Sequence, residues 1–160
     1  MSNIIVGVGD LKTSNSRDSI VKTYALGSCV GLVILAPKKN AVGLLHIALS
    51  ESSINPDLAI RKPGMFADTG IPILINEMKK LGCTASEFII KIAGGANIVD
   101  PTNHFEIGKK NILAVKKYLW KYRLGPIAED VGRDISRTVT IEVNSCKVTI
   151  SSPGRGEWEI

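Results

Sequence analysis

Two apolar runs separated by a short polar turn constrain the fold of this chain more than any other feature of its sequence. The first run is VGLVILA at Val30–Ala36, and the second is AVGLLHIA at Ala41–Ala48. Between them Pro37–Asn40 reads PKKN, a composition typical of a turn. A strand with hardly any polar side chain is typical of one covered on both faces. The sequence therefore predicts a hairpin whose first strand is buried on both sides.

The remaining periodicities predict an α/β fold. Helical spacing of apolar residues predicts one long helix from an N-cap at Thr69 to Gly82, and a second over Gly108–Arg123. The polar segments Leu11–Arg17 and Ser50–Gly64 are predicted as loops. Further strands are predicted at Asn3–Val8, Ser19–Ala25, Phe88–Ala93, Ile127–Asp130, Ser136–Val143 and Lys147–Ser151. We therefore expect a layered sandwich, with a mixed, largely antiparallel β-sheet core covered by the two long helices.

Length and cysteine content narrow the class of protein. A chain of 160 residues without a repeat or a linker predicts a single domain over residues 1–160. No stretch reaches the about 18 uninterrupted apolar residues of a membrane span. The 3 cysteines form no CxxC pair and follow no secretion signal, which predicts free thiols in the reducing cytosol. His46 and His104 lack the spacing of a zinc site, so no metal is expected.

The formal net charge of +5 is mildly basic and suits an acidic protein partner without requiring one. The densest cations lie in the second predicted helix, where we interpret them as a solvated helix face. They are Lys109, Lys110, Lys116, Lys117, Lys121 and Arg123. Aromatic residues make up only 5% of the chain and do not alternate with basic ones, so a nucleic-acid partner is not expected.

Cys29 is the first candidate for chemistry. It follows Gly27-Ser28, which predicts a bend that places the thiol at the start of a buried strand. A cysteine after small residues can expose its sulfur beside free backbone N–H groups, which together form a nucleophile and an oxyanion hole. The alternative is a packed, small hydrophobic residue without a chemical role.

His46 is the second candidate, since an imidazole is out of pattern in an apolar strand. A hairpin register centred on Lys38-Lys39 pairs positions whose numbers sum to 38 + 39 = 77, which places His46 opposite Gly31. Cys29 then lies at the same open end, an arrangement that favours a thiolate near neutral pH. Thr23, on the preceding strand, could orient the imidazole. The alternatives are a core histidine and an ordinary strand threonine.

A diglycine at Gly94-Gly95 ends the predicted strand Phe88–Ala93. Such a pair either lets a ligand approach the backbone closely or simply turns the chain. It is not part of a phosphate-binding glycine motif, so phosphate binding is weakly supported.

Taken together, these segments resemble the CheD family, the chemoreceptor glutamine deamidases of chemotaxis. The resemblance runs over nearly the whole chain and depends on the order of its motifs and on the 17-residue step from Cys29 to His46. The motifs are LGSCV at Leu26–Val30, GLLHIALS at Gly43–Ser50, FADTG at Phe66–Gly70, KIAGGAN at Lys91–Asn97, IGKKN at Ile107–Asn111 and AEDVG at Ala128–Gly132.

The resemblance implies a Cys29–His46–Thr23 triad of nucleophile, base and orienting residue, with no metal or organic cofactor. It implies hydrolysis of receptor glutamine side chains to glutamate with release of ammonia, by a cytoplasmic protein. The implied fold is related to a bacterial toxin deamidase. The implied partners are the cytoplasmic helices of chemoreceptors and, in many organisms, the phosphatase CheC.

Two alternatives to this function stay open: a non-catalytic regulatory module for a receptor or a CheC-type phosphatase, and a different cysteine hydrolase or transglutaminase. Loops that could contact a substrate or a partner are Ser50–Gly64 and the segment after Gly94-Gly95, including His104 and Phe105. Phe105 is either an exposed apolar anchor or a residue folded onto the core. The sequence departs from the family pattern at Arg133 and Cys146, where glycine is usual.

Overall fold

The protein contains two five-stranded sheets and three α-helices within the residues that the computed structural model describes, 2–98 and 105–160. The strands are β1 (Ser2–Ile5), β2 (Leu11–Ser14), β3 (Ser19–Leu26), β4 (Val30–Ala36), β5 (Ala41–Ile47), β6 (Ile89–Gly94), β7 (Ala128–Val131), β8 (Arg137–Glu142), β9 (Lys147–Ser152) and β10 (Gly156–Glu159). The helices are α1 (Pro56–Arg61), α2 (Ala67–Lys80) and α3 (Ile107–Trp120). The predicted α/β class is confirmed.

The strand order is β1-β3-β8-β9-β10 in the first sheet and β2-β5-β4-β6-β7 in the second. Among the strands of residues 2–98 and 105–160, only the pairs β1–β3 and β6–β7 are parallel, so both sheets are mixed and largely antiparallel, as predicted. The sequence predicted one sheet core, whereas the described chain has two sheets, because alternation along a strand does not reveal which strands become neighbours.

The second sheet has an apolar cluster on each face, which explains why β4 and β5 contain hardly any polar residue. On one face, Leu32 and Leu45 pack with apolar residues of α2 and α3. On the other, Val33 and Leu44 pack with residues of β3, β8 and β9 from the first sheet. The apolar faces of α2 and α3 therefore cover one face of the second sheet rather than the whole β core.

The hairpin of β4 and β5 has the predicted register. Gly31 pairs with His46, and Ala36 pairs with Ala41 at the turn. The turn is a 3₁₀ helix at Pro37–Lys39 that ends at Asn40 in the left-handed conformation, φ 51°. Asparagine tolerates this conformation better than most residues, so the PKKN sequence fits the turn that it forms.

The segment between β5 and α2 is more ordered than the predicted loop over Ser50–Gly64. It contains α1, whose N-cap Asn55 accepts a hydrogen bond from the Leu58 amide at 3.2 Å, and Pro56 occupies the first helical position. Ser52 also donates to the Asp68 carboxylate at 2.5 Å, which ties this segment to α2. Because α1 buries no residue, it lacks the apolar periodicity by which a helix is recognised in a sequence.

Other elements also differ from the prediction. Leu11–Ser14 is an edge strand rather than a loop, and β10 was not predicted. The helix α2 begins at Ala67, since Thr69 donates its hydroxyl to the Pro63 carbonyl at 2.5 Å instead of capping the helix. Among the described residues, no helix is both long enough and apolar enough to span a membrane.

Candidate active site

Cys29 lies in a turn, Gly27–Cys29, between β3 and β4, and we call these three residues the nucleophile turn. Each of its carbonyls accepts a hydrogen bond. The Ala96 amide donates to Gly27 at 2.8 Å, the Gly95 amide donates to Cys29 at 2.8 Å, and the Asn111 side chain donates to Ser28 at 2.9 Å. The turn is therefore held through its oxygens. Among the described residues, the backbone N–H groups of Ser28 and Cys29 donate no hydrogen bond of a loop, turn or cap.

The diglycine packs directly against the nucleophile turn. A Cβ atom on Gly94 would collide with the Cys29 carbonyl, and Gly94 has a φ of 108° that suits glycine. At Gly95, a Cβ atom would lie 2.4 Å from the Ile112 side chain. The glycines thus permit a close approach, and what approaches them is the protein's own nucleophile turn and α3.

A β-bulge in β3 precedes the nucleophile turn. The pairing of β3 with β8 shifts between Thr23 and Leu26, and Ala25 is left-handed with a φ of 55°. The bulge turns Tyr24 and Ala25 outward and leaves Thr23 and Leu26 fully buried. Without the bulge, strand alternation would place Thr23 and Leu26 on opposite faces.

His46 is 2% exposed and lies in β5, directly opposite Gly31. A Cβ atom on Gly31 would lie 3.0 Å from the Leu26 side chain, so this position is already tightly packed as glycine. The Nδ1 atom of His46 lies 2.7 Å from the Thr23 hydroxyl oxygen. The structure thus brings two of the predicted residues, Thr23 and His46, into direct contact.

The Thr23 hydroxyl determines the tautomer of His46. Its single proton is donated to the Val6 carbonyl at 2.7 Å, so towards His46 its oxygen can only accept. The imidazole proton therefore sits on Nδ1, and Nε2 carries a lone pair. Nε2 is buried and has no hydrogen-bond partner among the described residues.

Burial keeps both Cys29 and His46 in their neutral forms. It lowers the pKa of His46 from 6.5 to about 4, although the Asp10 carboxylate acts to raise it. Burial also raises the pKa of the Cys29 thiol above its ordinary 9.0, against the effect of its own backbone amide. Burial thus acts against the thiolate that the sequence predicts near neutral pH, and this thiolate stays a prediction.

Phe105 is 60% exposed, which contradicts a position folded onto the core. It lines a shallow cavity of about 210 Å³ at the N-terminal end of α3. The other lining residues are Leu49, Ser50, Ile54, Ile107, Lys110 and Asn111. Asn111 joins this cavity to the nucleophile turn. His104, predicted beside Phe105, lies outside the described residues.

Asn111 was missed by sequence reasoning. It is 1% exposed, and its side-chain amide donates to the carbonyls of both Ser28 and Ala48 at 2.9 Å. It therefore braces the nucleophile turn against the chain that leaves the His46 strand. The available signal was a polar residue on the apolar face of a predicted helix, where a buried amide needs partners.

Arg137 is a second residue that sequence reasoning missed. It is fully buried and donates from Nε to Asp130 at 2.7 Å and from Nη1 to the Gly132 carbonyl at 2.9 Å. A longer contact of 3.5 Å reaches the Gly94 carbonyl. Trp158 donates to the other oxygen of Asp130 at 2.5 Å. The residues next to Arg137 in the sequence do not indicate that it is buried, because strands distant in sequence cover its charge.

The two departures from the family pattern lie at backbone positions that favour glycine. Arg133 has a φ of 58° and Cys146 a φ of 56°, both in the left-handed region. Arg133 lies 3.5 Å from Asp130 and accepts at its carbonyl from the Asn97 amide at 2.7 Å.

Across residues 2–98 and 105–160, no group of three or more His, Cys, Asp and Glu side chains could hold a metal ion.

Comparison with known proteins identifies the family. Residues 48–152 match the family model described as CheD chemotactic sensory transduction. A protein of Syntrophotalea carbinolica named "Probable chemoreceptor glutamine deamidase CheD" is 48% identical over 162 residues, covering 100% of both chains. A relative named "Probable chemoreceptor glutamine deamidase CheD 1" from Syntrophus aciditrophicus is 45% identical over 96% of both chains. A third, from Solibacter usitatus, is 42% identical over 97% of this chain and 92% of its own.

Proposed function

The chain belongs to the CheD family, and on that premise we propose that it hydrolyses glutamine side chains of chemoreceptors to glutamate and releases ammonia. The observation that carries the proposal is the orientation of His46 by Thr23, which leaves a basic nitrogen free at the end of the hairpin where Cys29 lies. A buried histidine with one nitrogen held and the other unpartnered has the form of a general base.

The proposed reaction starts from the neutral thiol and the neutral imidazole. His46 Nε2 takes the proton of Cys29 as the sulfur attacks the carbon of the glutamine amide. The backbone N–H groups of Ser28 and Cys29 donate to the oxyanion of the tetrahedral intermediate, and Gly27 forms the start of the turn that holds these groups. The intermediate collapses as the imidazolium returns its proton to the leaving nitrogen, which departs as ammonia.

Water completes the cycle. His46 removes a proton from the water as its oxygen attacks the thioester between Cys29 and the former glutamine. The thioester bond breaks, the sulfur recovers a proton from the imidazolium, and the receptor side chain leaves as a carboxylic acid, which loses its proton to solvent and becomes glutamate. Thr23 accepts from Nδ1–H throughout, so the ring keeps one tautomer and one orientation.

The wider setting of the proposal follows the family resemblance. Residues 1–160 act as one domain, a layered sandwich related to a bacterial toxin deamidase, in the cytoplasm. The substrate is a glutamine on a cytoplasmic receptor helix, and a CheC-type phosphatase is a further partner. The chemistry requires no metal or organic cofactor, since the thiol, the imidazole and water supply every group that reacts.

The test is a deamidation assay on a purified cytoplasmic receptor fragment that carries glutamines. Ammonia release and the amide-to-carboxylate mass change are expected with the natural chain and absent with Cys29→Ala. Cys83→Ala is the matched control, since Cys83 is buried away from the site and should leave turnover unchanged. Equal ammonia release from Cys29→Ala would contradict the proposal.

A regulatory binding module is the second candidate. It is favoured by the absence, among the described residues, of a hydrogen bond between the Cys29 thiol and His46 Nε2. Under this alternative the receptor fragment binds, no ammonia appears, and Cys29→Ala binds as well as the natural chain.

Phe105 is proposed as an apolar anchor for the partner. Phe105→Ala is expected to weaken binding of the receptor fragment by about 1–3 kcal/mol, the range of a moderate hot spot. The melting temperature should change little, because the side chain is 60% exposed before binding. Unchanged binding in a titration, together with a large fall in melting temperature, would show that Phe105 supports the fold instead.

A further inference from the structure

The outward face of α3 carries an exposed apolar pair. Leu113 is 57% exposed and Trp120 is 72% exposed. They are seven residues apart, so they lie on the same side of the helix, two turns from each other. The opposite side of α3 is the one that packs on the second sheet, through Val115 and Leu119. An exposed tryptophan in line with an exposed leucine is not required by the packing of this helix.

Lysines flank this pair on both sides. At 100° per residue, Lys109 and Lys116 lie on one side of the line from Leu113 to Trp120. Lys110, Lys117 and Lys121 lie on the other side. The sequence of α3 contains no aspartate or glutamate. This face is therefore an apolar pair with a basic margin along its whole length.

Few of these charges are neutralised within the described part of the chain. Lys116 pairs with Glu129 at 2.8 Å, and Lys117 reaches Glu51 at 3.8 Å. No ion pair joins Lys109, Lys110 or Lys121 to a carboxylate among the described residues. Lys109 and Lys110 also lie in the first turn, where the helix dipole disfavours cations. Helix formation alone does not favour this arrangement.

We propose that the outward face of α3, defined by Leu113, Trp120 and the flanking lysines, docks a second helix of the chemoreceptor, one that carries carboxylates beside an apolar stripe. The proposal rests on the proposed function, because it takes the receptor as the partner. It assigns the lysines to recognition, whereas the sequence alone suggested only a solvated face. The receptor helix on α3 is distinct from the glutamine that enters beside Cys29.

Three observations favour this occupant. Apolar residues seven apart form a line one side chain wide, which fits the groove of a single helix. The basic margin complements carboxylates, the same group that deamidation creates on the receptor. The basic margin also reaches the candidate active site, since Lys110 lines the same cavity as Asn111, whose side chain holds the Ser28 carbonyl. A rod-shaped partner could therefore engage both.

The chain's own properties disfavour a second copy as the occupant. A net charge of +5 and a helix with no carboxylate of its own would set lysines against lysines in a symmetric pair. An anionic lipid surface would meet the same lysines. It would bury only the two apolar side chains of a helix whose other face is already occupied, so the receptor helix is the better fit.

The experiment measures steady-state deamidation of a receptor cytoplasmic fragment by Trp120→Ala and by Lys121→Glu. Both variants are expected to raise KM by at least about tenfold while kcat stays within about twofold, since docking changes and the chemistry does not. Added salt should raise KM for the natural chain and should raise it less for Lys121→Glu. The matched controls are Ile5→Ala, 47% exposed on β1, and Lys147→Glu on β9, which should leave KM unchanged.

A binding titration separates this proposal from the proposed function. The same substitutions are introduced into Cys29→Ala, and the dissociation constant for the receptor fragment is measured without turnover. If the natural chain releases no ammonia but the α3 variants lose affinity, the enzymatic function fails and the docking face stands. If the natural chain is active and the α3 variants keep both KM and affinity, the docking face is overturned.

Other occupants would also overturn the proposal. An equal loss of affinity with Lys147→Glu would show that total charge acts rather than the α3 face. Sedimentation of the natural chain as a dimer that Trp120→Ala dissociates would assign the face to a second copy. Binding to vesicles with anionic headgroups that Trp120→Ala abolishes, with receptor affinity unchanged, would assign it to a lipid surface.

Discussion

His46 is a titratable side chain in a strand whose other residues are apolar, and this placement should lower the free energy of unfolding at acidic pH. Its pKa of about 4 in the folded protein lies below the ordinary 6.5. Between these values the unfolded chain binds a proton that the folded chain does not. The free energy of unfolding should therefore be independent of His46 above pH 6.5 and fall by up to about 3 kcal/mol as the pH drops to 4.

The measurement is the pH dependence of chemical denaturation for the natural chain and for His46→Gln. Both proteins share the titration of the carboxylates, so their difference isolates His46. The natural chain should lose stability relative to the variant below pH 6.5. Parallel curves across this range would contradict a neutral, buried His46.

Thr23→Val is expected to reduce kcat at nearly unchanged side-chain shape. It removes the acceptor of His46 Nδ1–H and the donor to the Val6 carbonyl. A lost buried hydrogen bond of about 1–3 kcal/mol corresponds to a fall in kcat of roughly 5- to 150-fold if it orients the base. Thr23→Ser keeps a hydroxyl and should recover most of the rate. Equal kcat for Val and Ser would remove Thr23 from the mechanism.

The thiol of Cys29 should react slowly with iodoacetamide at neutral pH. Burial raises its pKa above 9.0, so the alkylation rate should climb throughout pH 7–9 without reaching a plateau. A plateau below pH 8 that disappears in His46→Gln would restore the thiolate–imidazolium pair.

Part of the candidate site could be predicted from residues alone. Gly31 and His46 are opposite each other because a short turn fixes the pairing of a hairpin, and this needs no knowledge of distant strands. The protonation states could not be predicted the same way. They depend on the desolvation of Cys29 and His46 by surrounding residues that are remote in sequence.

At the scale of elements, backbone pairing explains which strands the sequence failed to announce. The edge strands β2 and β10 each pair with one neighbour and are stabilised by its hydrogen bonds. Leu11–Ser14 has only one buried residue, so its strand conformation comes from β5 rather than from an apolar pattern. The central strands β4 and β5, buried along their whole length, were predicted at nearly their observed bounds.

Asn111 connects three elements, and its loss should be felt in both stability and turnover. Asn111→Leu keeps the volume but leaves the Ser28 and Ala48 carbonyls without their donor. A buried acceptor without a partner costs about 1–3 kcal/mol, so chemical denaturation should show a loss of this order. The kcat for ammonia release should fall as well, because the nucleophile turn loses its brace. Unchanged values of both would show that the brace is dispensable.

At the scale of the whole molecule, a buried ion pair joins the two sheets. Arg137 belongs to the first sheet, whereas its partners Asp130 and Gly94 belong to the second. Arg137→Met should cost about 3–5 kcal/mol, because Asp130 is then a mostly buried charge without its main partner. Adding Asp130→Asn should recover much of this loss, since the amide oxygen still accepts from Trp158. Denaturant titrations compare Arg137→Met with the double variant, and equal stabilities of these two proteins would contradict a stabilising ion pair between the sheets.

The register of the β4–β5 hairpin makes the length of a remote turn part of the candidate site. His46 lies five residues, or about 17 Å, from Ala41, the first strand residue after the turn at Pro37–Asn40. A one-residue insertion there that shifted the pairing would move every side chain of β5 to the opposite face and carry the imidazole away from Thr23. Replacement of the lysines in that turn would do nothing of the kind. An insertion or deletion at this turn should therefore impair activity as a mutation of His46 would, whereas substitution of Lys38 or Lys39 should not.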